Sequence, residues 1–170
     1  MTMLSLEDEV KTVSQLMEQE ITVYRLLIQE LKKEAECLRT GAIDSLVKVV
    51  ETIGHHTETL HQLQTLMEAS IGRVFGIMEK GVEKKTLSHL VANLPPVHRA
   101  KMKSHQHALT QLQEWVSQMN EKNRVFIREH LTFLADLTSW LIHPVVETPC
   151  YPKTGHPSLA VPPYAFNREV

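Results

Sequence analysis

Histidines are the residues of this chain that most readily suggest chemistry, since it has 10 of them. His55, His56 and His61 lie close together in a segment with helical spacing. A zinc pair on a helix needs two histidines four residues apart on one face, and these three are separated by one, five and six residues. Glu58-Thr-Leu-His61 is a single Glu-x-x-His sequence, whereas a di-iron bundle needs two of them and two further glutamates. We therefore expect a solvated helix face here, with no metal site and no cofactor.

The rest of the sequence offers no catalytic pattern. It contains no phosphate-binding loop, nucleophile elbow or dinucleotide-binding fingerprint. Cys37 and Cys150 have neither metal-ligand spacing nor the number of a disulfide framework, which is typical of a reduced, cytoplasmic protein. The net charge of −2 gives no general attraction to nucleic acid, and no uncharged apolar run approaches the ~20 residues of a membrane-spanning helix. We expect no enzyme, no catalytic residue, no nucleic-acid ligand and no insertion into a membrane.

Apolar residues instead recur at steps of three and four along three long segments, the spacing of helices with coiled-coil-like packing. Gly41 separates the first two segments and is a good helix stop, because glycine readily adopts the left-handed conformation. The short connection predicts that these two helices fold back as an antiparallel hairpin. The first seam consists of Leu6, Val10, Val13, Met17, Glu20, Tyr24, Leu27, Leu31, Glu34 and Leu38. The second consists of Ile43, Leu46, Val50, Ile53, Leu60, Met67, Ile71, Val74 and Met78.

Three glycines, Gly54, Gly72 and Gly76, lie within the second predicted helix. Each costs about 1 kcal/mol relative to alanine in a helix interior. Either the close approach of another helix offsets this cost, or the far end of the helix is loosely held, and the sequence favours neither alternative. Residues 84–94 then predict a short helix that ends before the Pro-Pro pair at 95–96.

The third long helix is predicted to begin near Val97 and to run to Trp140. Its seam consists of Met102, His105, Leu109, Leu112, Val116, Met119, Asn123, Phe126, His130, Phe133, Leu137 and Trp140. We expect His105 and His130 to be partly buried, hydrogen-bonded residues. After Asn123 a second apolar line appears beside this seam, made of Ile127, Leu131, Leu134 and Leu141. The combined band is too wide for one neighbouring helix to bury, which predicts that another protein covers it.

Residues 143–170 carry six of the eight prolines and show no helical periodicity. Each proline removes a backbone donor and disfavours helix at the residue before it. The predicted fold is therefore all-α. Residues 1–142 form an antiparallel bundle of three long helices with coiled-coil-like packing and a short connecting helix, and residues 143–170 form a mobile proline-rich C-terminal tail.

The stretch QMNEKNRVFIREHLTFLADLTSWL, followed by TPCYPKTG, resembles the C-terminal half of the FlgN family. That family has an Asn-x-x-Asn pair in its last long helix, an apolar helix end, and a tail with a tyrosine and, a few residues on, a glycine. The matching residues here are Asn120 and Asn123, then 131–141, then Tyr151 and Gly155. The segments ELKKEAECLRTGAIDSLVKVV and HLVANLPPVHR are also similar to the family's helical hairpin and its helix-and-proline connection.

The resemblance implies a cytoplasmic chaperone of flagellar type III export. Such proteins bind the C-terminal amphipathic helix of the hook-associated proteins of the hook–filament junction. They prevent premature assembly of this cargo and bring it to the export gate in the membrane. Together with the apolar band, the resemblance predicts cargo contacts at Asn120, Asn123, Phe126, Ile127, Leu131, Leu134, Leu137, Trp140 and Leu141. It also implies that Tyr151 and Gly155 dock to the cytosolic domain of the export gate.

Two other interpretations of the band stay open. One is a structural coiled-coil homodimer, or a generic helical adaptor with no export role, in which the band is a subunit interface. The other is an enzyme on a helical bundle, which needs convergent polar groups in a pocket. The polar seam residues are scattered along ~60 Å of helix, which disfavours the enzyme. We expect a monomer or a weak homodimer, and dissociation of a dimer by a cargo peptide would separate the chaperone from the structural homodimer.

Overall fold

A computed structural model describes residues 6–78 and 86–142, and within these ranges the chain forms four α-helices and no strand. They are α1 (Leu6–Thr40), α2 (Ile43–Ile77), α3 (Leu87–Asn93) and α4 (Pro96–Ile142). The prediction of an all-α chain is therefore confirmed, and the short connecting helix lies within its predicted range. The predicted tail, residues 143–170, lies outside the described residues.

Local residue chemistry accounts for the helix boundaries. Gly41 has a φ of +69°, a left-handed conformation that glycine adopts without steric cost, and it separates α1 from α2 as predicted. Thr86 precedes α3, and its Oγ1 accepts a hydrogen bond from the backbone N–H of His89, which is N-capping. Pro96 opens α4, a position where the missing proline N–H costs nothing.

The helices α1 and α2 form an antiparallel hairpin. Arg73 Nε of α2 donates to Glu9 Oε1 near the start of α1 at 2.9 Å, and Gln64 Nε2 donates to Glu20 Oε1 further along at 3.2 Å. The apolar core between the helices is continuous and includes six of the predicted seam residues of α1, from Val10 to Leu31. Its buried members on α1 and α2 are Val10, Val13, Met17, Ile21, Tyr24, Leu27, Leu31, Leu60, Met67, Ile71, Val74 and Phe75.

The first part of α4 lies beside α1 and points in the same direction. Lys101 Nζ is 2.8 Å from Glu18 Oε1, and Gln113 Nε2 donates to the Tyr24 hydroxyl at 3.3 Å. Met102 and Leu109 are buried in the shared core, and Leu90, Val91 and Leu94 extend it around α3. The first part of α4 is therefore parallel to α1.

The second predicted seam is only half buried. From Leu60 onward its residues lie in or against the core, but Ile43 is 64% exposed and Val50 is also exposed, so the prediction was wrong at the start of α2. Among the described residues, a Cβ added at Gly54, Gly72 or Gly76 would have no neighbouring atom within 4 Å beyond its own stretch of helix. A close approach of another helix therefore does not offset the cost of these glycines.

The chain divides into two compact units, residues 1–124 and residues 125–170. The first contains the hairpin, α3, the first part of α4 and the apolar core described above. The described part of the second unit is the remainder of α4, residues 125–142.

Candidate partner-binding surface

The last turns of α4 carry large apolar side chains that are open to solvent. We define the α4 face as the eight residues Phe126, Ile127, Leu131, Phe133, Leu134, Leu137, Trp140 and Leu141. Leu131 is 62% exposed and Trp140 is 63% exposed, and Phe126 is the one member of the set that is half-buried. Every residue from Ile127 to Ile142 is exposed. A contiguous exposed apolar surface of this kind marks an interaction site.

The geometry of the helix groups these residues on one side. Successive residues of an α-helix are about 100° apart around the axis, which places the α4 face on an arc of roughly 180° from Trp140 to Leu131. Thr132 and Ser139 lie on the opposite side. An ordinary amphipathic helix buries a stripe a little over about 100° wide. The α4 face is therefore as broad as the sequence predicts, and its residues are exposed in the structure.

An aromatic contact orders the start of the α4 face. The rings of Phe126 and His130 are stacked with their centroids 3.9 Å apart and an angle of 26° between their planes. His130 Nδ1 is also 2.9 Å from the carbonyl oxygen of Phe126. His130 itself is exposed, so the expectation of partial burial was wrong for it. His105, by contrast, is partly buried as predicted.

The asparagine pair is split between two environments. Asn120 is exposed, whereas Asn123 is buried against α1. The Nδ2 atom of Asn123 donates to the Leu31 carbonyl at 3.1 Å and to Glu34 Oε2 at 2.7 Å. The Asn123 side chain is therefore already occupied by contacts that fix α4 on α1, while Asn120 remains open to solvent.

Polar side chains also join the helices of the first unit. Burial raises the pKa of the Glu20 carboxyl, against the smaller effect of its hydrogen bond from Gln64. Burial also raises the pKa of Tyr24. The hydrogen bond and charge of Lys101 lower the pKa of Glu18 on the surface of α1. These groups are spread along the bundle, and each contacts a side chain of a neighbouring helix, which suits a structural role.

A second exposed tryptophan lies on the first unit. Trp115 is 57% exposed and lines a shallow groove with Arg25, Leu112 and Gln118. The three-and-four spacing did not single it out, because Trp115 falls between the seam positions of its helix. Its exposure is close to that of Trp140, so Trp115 offers a matched control for experiments on the α4 face.

The structure places the predicted contact residues unevenly. The seven predicted residues from Phe126 to Leu141 share one side of α4, Asn120 is exposed elsewhere on the helix, and Asn123 is buried. Phe133 belonged to the predicted seam but not to the predicted contacts, although its helical position sets it between Phe126 and Trp140. Tyr151 and Gly155 lie outside the described residues.

No group of three or more His, Cys, Asp or Glu side chains in residues 6–78 and 86–142 is placed to hold a metal ion. Among the same residues, no helix has the length and apolar content needed to cross a membrane.

Comparison with known proteins now gives the family. Neither the curated proteins nor the solved structures include a chain that matches this one. The model of the family described as FlgN protein matches residues 1–158, nearly the whole chain, and so includes both α1–α2 and the α4 face. The chain therefore belongs to the FlgN family.

Proposed function

We propose that this protein is a cytoplasmic export chaperone that binds the C-terminal amphipathic helix of flagellar hook-associated proteins through the α4 face. It would prevent their premature assembly and deliver them to the cytosolic domain of the export gate. Membership of the FlgN family supports a role as a flagellar export chaperone in general. The observation that carries the specific proposal is the exposure of the α4 face on a helix that is otherwise packed against a bundle.

The proposed fold explains why this part of α4 is available. We propose an antiparallel bundle of three long helices with coiled-coil-like packing in residues 1–142. Asn123 is the last buried residue of α4. Beyond it, every residue from Ile127 to Ile142 is exposed, which suits the binding of an amphipathic helix in a groove-like contact.

The energetics are adequate for a carrier. Burying ~600 Å² of apolar surface contributes roughly 15 kcal/mol before costs, at ~25 cal/mol/Å². The loss of translational and rotational freedom and the ordering of side chains remove much of this. A chaperone that must release its cargo at the gate needs moderate affinity, so a face of this size is sufficient without catalysis or a cofactor.

Residue roles follow from position. Phe126, Ile127, Leu131, Leu134, Leu137, Trp140 and Leu141 supply the cargo contact, and Asn120 is a flanking polar contact. Asn123 acts on cargo as a positioning residue, because its amide holds α4 on α1. Tyr151 and Gly155 dock to the gate, a division of labour that leaves the α4 face to the cargo.

A structural homodimer is the competing function, because self-association would also cover an exposed apolar face. In that case the protein would be a coiled-coil component or a helical adaptor with no export role. Sedimentation of the free protein, with and without a cargo peptide, separates the two. A dimer that the peptide does not dissociate, and no complex with the peptide, would favour the homodimer.

The proposal is tested by calorimetric titration with synthetic C-terminal peptides of hook-associated proteins, against an unrelated amphipathic helix. We expect selective one-to-one binding that survives truncation after Ile142. The double variant Leu137→Ala/Trp140→Ala should abolish binding and keep its helical circular dichroism, because both side chains are exposed. Trp115→Ala, the matched exposed tryptophan, should bind normally. Unchanged affinity in the double variant would refute the proposed site.

A further inference from the structure

The α4 face has two flanks of different chemistry. On a helix with about 100° between residues, Phe126, Phe133, Leu137 and Trp140 fall within an arc of about 60°, which we call the aromatic flank. Ile127, Leu131, Leu134 and Leu141 fall within the adjacent arc of about 80°, which we call the aliphatic flank. The centres of the flanks are about 100° apart. A single partner helix seated on one flank therefore leaves the other largely in water.

The two flanks are bordered by opposite charges. Glu129 and Asp136 lie about 20–40° beyond Trp140, at the outer edge of the aromatic flank. Arg128 lies about 60° beyond Leu131, outside the aliphatic flank. All three are exposed, and no ion pair joins any of them to another described residue. Charges at the edges of an apolar helix face select partner and orientation.

Copies of this chain fit the α4 face poorly. A second copy brings one α4 helix and so covers one flank. In an antiparallel pair related by a two-fold axis, each flank would also face the same flank of its partner, with like charges at the shared edge. Three copies around one axis would cover both flanks, but trimeric coiled coils favour isoleucine in the seam. Ile127 is the one isoleucine among the eight residues of the α4 face.

We propose that the occupant of the α4 face is a two-helix segment of one partner protein, with one helix seated on each flank. The helix on the aromatic flank carries Lys or Arg beside Glu129 and Asp136. The helix on the aliphatic flank carries Asp or Glu beside Arg128. This inference rests on the proposed function, since the partner is the hook-associated cargo, and it adds that the final cargo helix alone fills half of the site.

The test compares two probes with three variants. The probes are a recombinant C-terminal fragment of a hook-associated protein that contains its last two predicted helices, and a peptide of the final helix alone. The variants are Phe133→Ala/Trp140→Ala on the aromatic flank and Leu131→Ala/Leu134→Ala on the aliphatic flank. Thr132→Ala/Ser139→Ala, on the polar side of α4, is the control. Circular dichroism checks that each variant remains helical.

We expect each flank variant to weaken binding of the two-helix fragment roughly ten-fold or more, with the control unchanged. Because Leu137 and Trp140 of the aromatic flank carry the proposed contact with the final cargo helix, only the aromatic-flank variant should weaken binding of the single-helix peptide. Arg128→Glu and Asp136→Lys should each weaken binding of the two-helix fragment, and this effect should diminish as the salt concentration is raised.

The outcomes separate this inference from the function on which it rests. If one flank variant binds the two-helix fragment with full affinity, the two-helix site is wrong while the chaperone function stands. If neither fragment nor peptide binds the unmodified protein, the proposed function fails and this inference with it. If the free protein sediments as an oligomer that the flank variants dissociate and the fragment does not, copies of this chain are the occupant.

Discussion

Asn123 Nδ2 lies 2.7 Å from Glu34 Oε2, a hydrogen bond that joins α4 to α1 across 89 positions of sequence. The same nitrogen donates to the Leu31 carbonyl at 3.1 Å, and the Asn123 side chain is only 7% exposed. A buried polar residue in a helical seam fixes register, because its partners are satisfied in one alignment only. Here the contact fixes α4 just before the helix becomes exposed.

Replacing Asn123 by alanine should destabilise the bundle. Both hydrogen bonds are lost, and one of them is to a carboxylate, so we expect the free energy of unfolding to fall by about 1–3 kcal/mol. Urea denaturation followed by circular dichroism measures this change. Asn120→Ala, three residues away and exposed, should shift the midpoint little. Equal midpoints for the two variants would show that the Asn123 contact does not stabilise the bundle.

Glu20 should make stability depend on pH. Its side chain is 1% exposed and burial raises its pKa in the folded protein. A folded-state pKa above the unfolded value means that the stabilising contribution is complete at low pH and is lost as pH rises through the folded pKa. The loss should begin above about pH 4.3, the ordinary glutamate pKa.

Glu20→Gln isolates that effect. The amide keeps an oxygen to accept from Gln64 and cannot ionise. We expect the variant to melt at a higher temperature than the unmodified protein at neutral pH, with the difference shrinking toward pH 4. A difference that stays constant between these two pH values would mean that ionisation of Glu20 is not the cause.

Two glycine substitutions should have opposite effects. Gly54 is exposed within α2, and nothing would crowd an added Cβ, so Gly54→Ala should raise the free energy of unfolding by about 1 kcal/mol. Gly41 has a φ of +69°, where an L-residue is strained by about 1–2 kcal/mol, so Gly41→Ala should lower it. Thermal melts of both variants give the comparison, and effects of the same sign would contradict the boundary assigned to Gly41.

Tyr151→Ala should separate gate docking from cargo binding. As the proposed gate contact lies outside the α4 face, we expect normal affinity for a cargo peptide and reduced affinity for the cytosolic domain of the export gate. Pull-down and calorimetry with each partner provide the two readings. Tyr164→Phe, a change at another tail tyrosine, serves as the control. An equal loss of both affinities would show that one site serves both partners.

Sequence reasoning succeeded where local chemistry decides the structure. The three-and-four spacing located Val13, Met17 and Val74 in the core, and Gly41 at a left-handed turn. It failed at Ile43, because heptad spacing shows which face of a helix is apolar but not how much of the length of that face a neighbouring helix covers. The same limit applies to His130, whose seam position predicted partial burial but which is exposed.

The candidate site was likewise predictable only in part. The breadth of the α4 face followed from residue spacing, and Phe133 could have been included in it on the same grounds. The role of Asn123 could not be predicted from the sequence, because its acceptors, Leu31 and Glu34, are on another helix about 90 positions away. Resemblance to a family associates a residue with a function without showing which groups its side chain contacts.

The most direct measurement uses Trp140 as its own reporter. The chain has two tryptophans, so Trp115→Phe leaves Trp140, which is 63% exposed, as the only source of indole emission. This variant would be titrated with a hook-associated C-terminal fragment while its emission spectrum and the heat of binding are recorded. We expect a saturable blue shift with the same midpoint as the heat, because cargo removes Trp140 from water. Binding without any shift would place the cargo elsewhere and contradict the assignment of the α4 face.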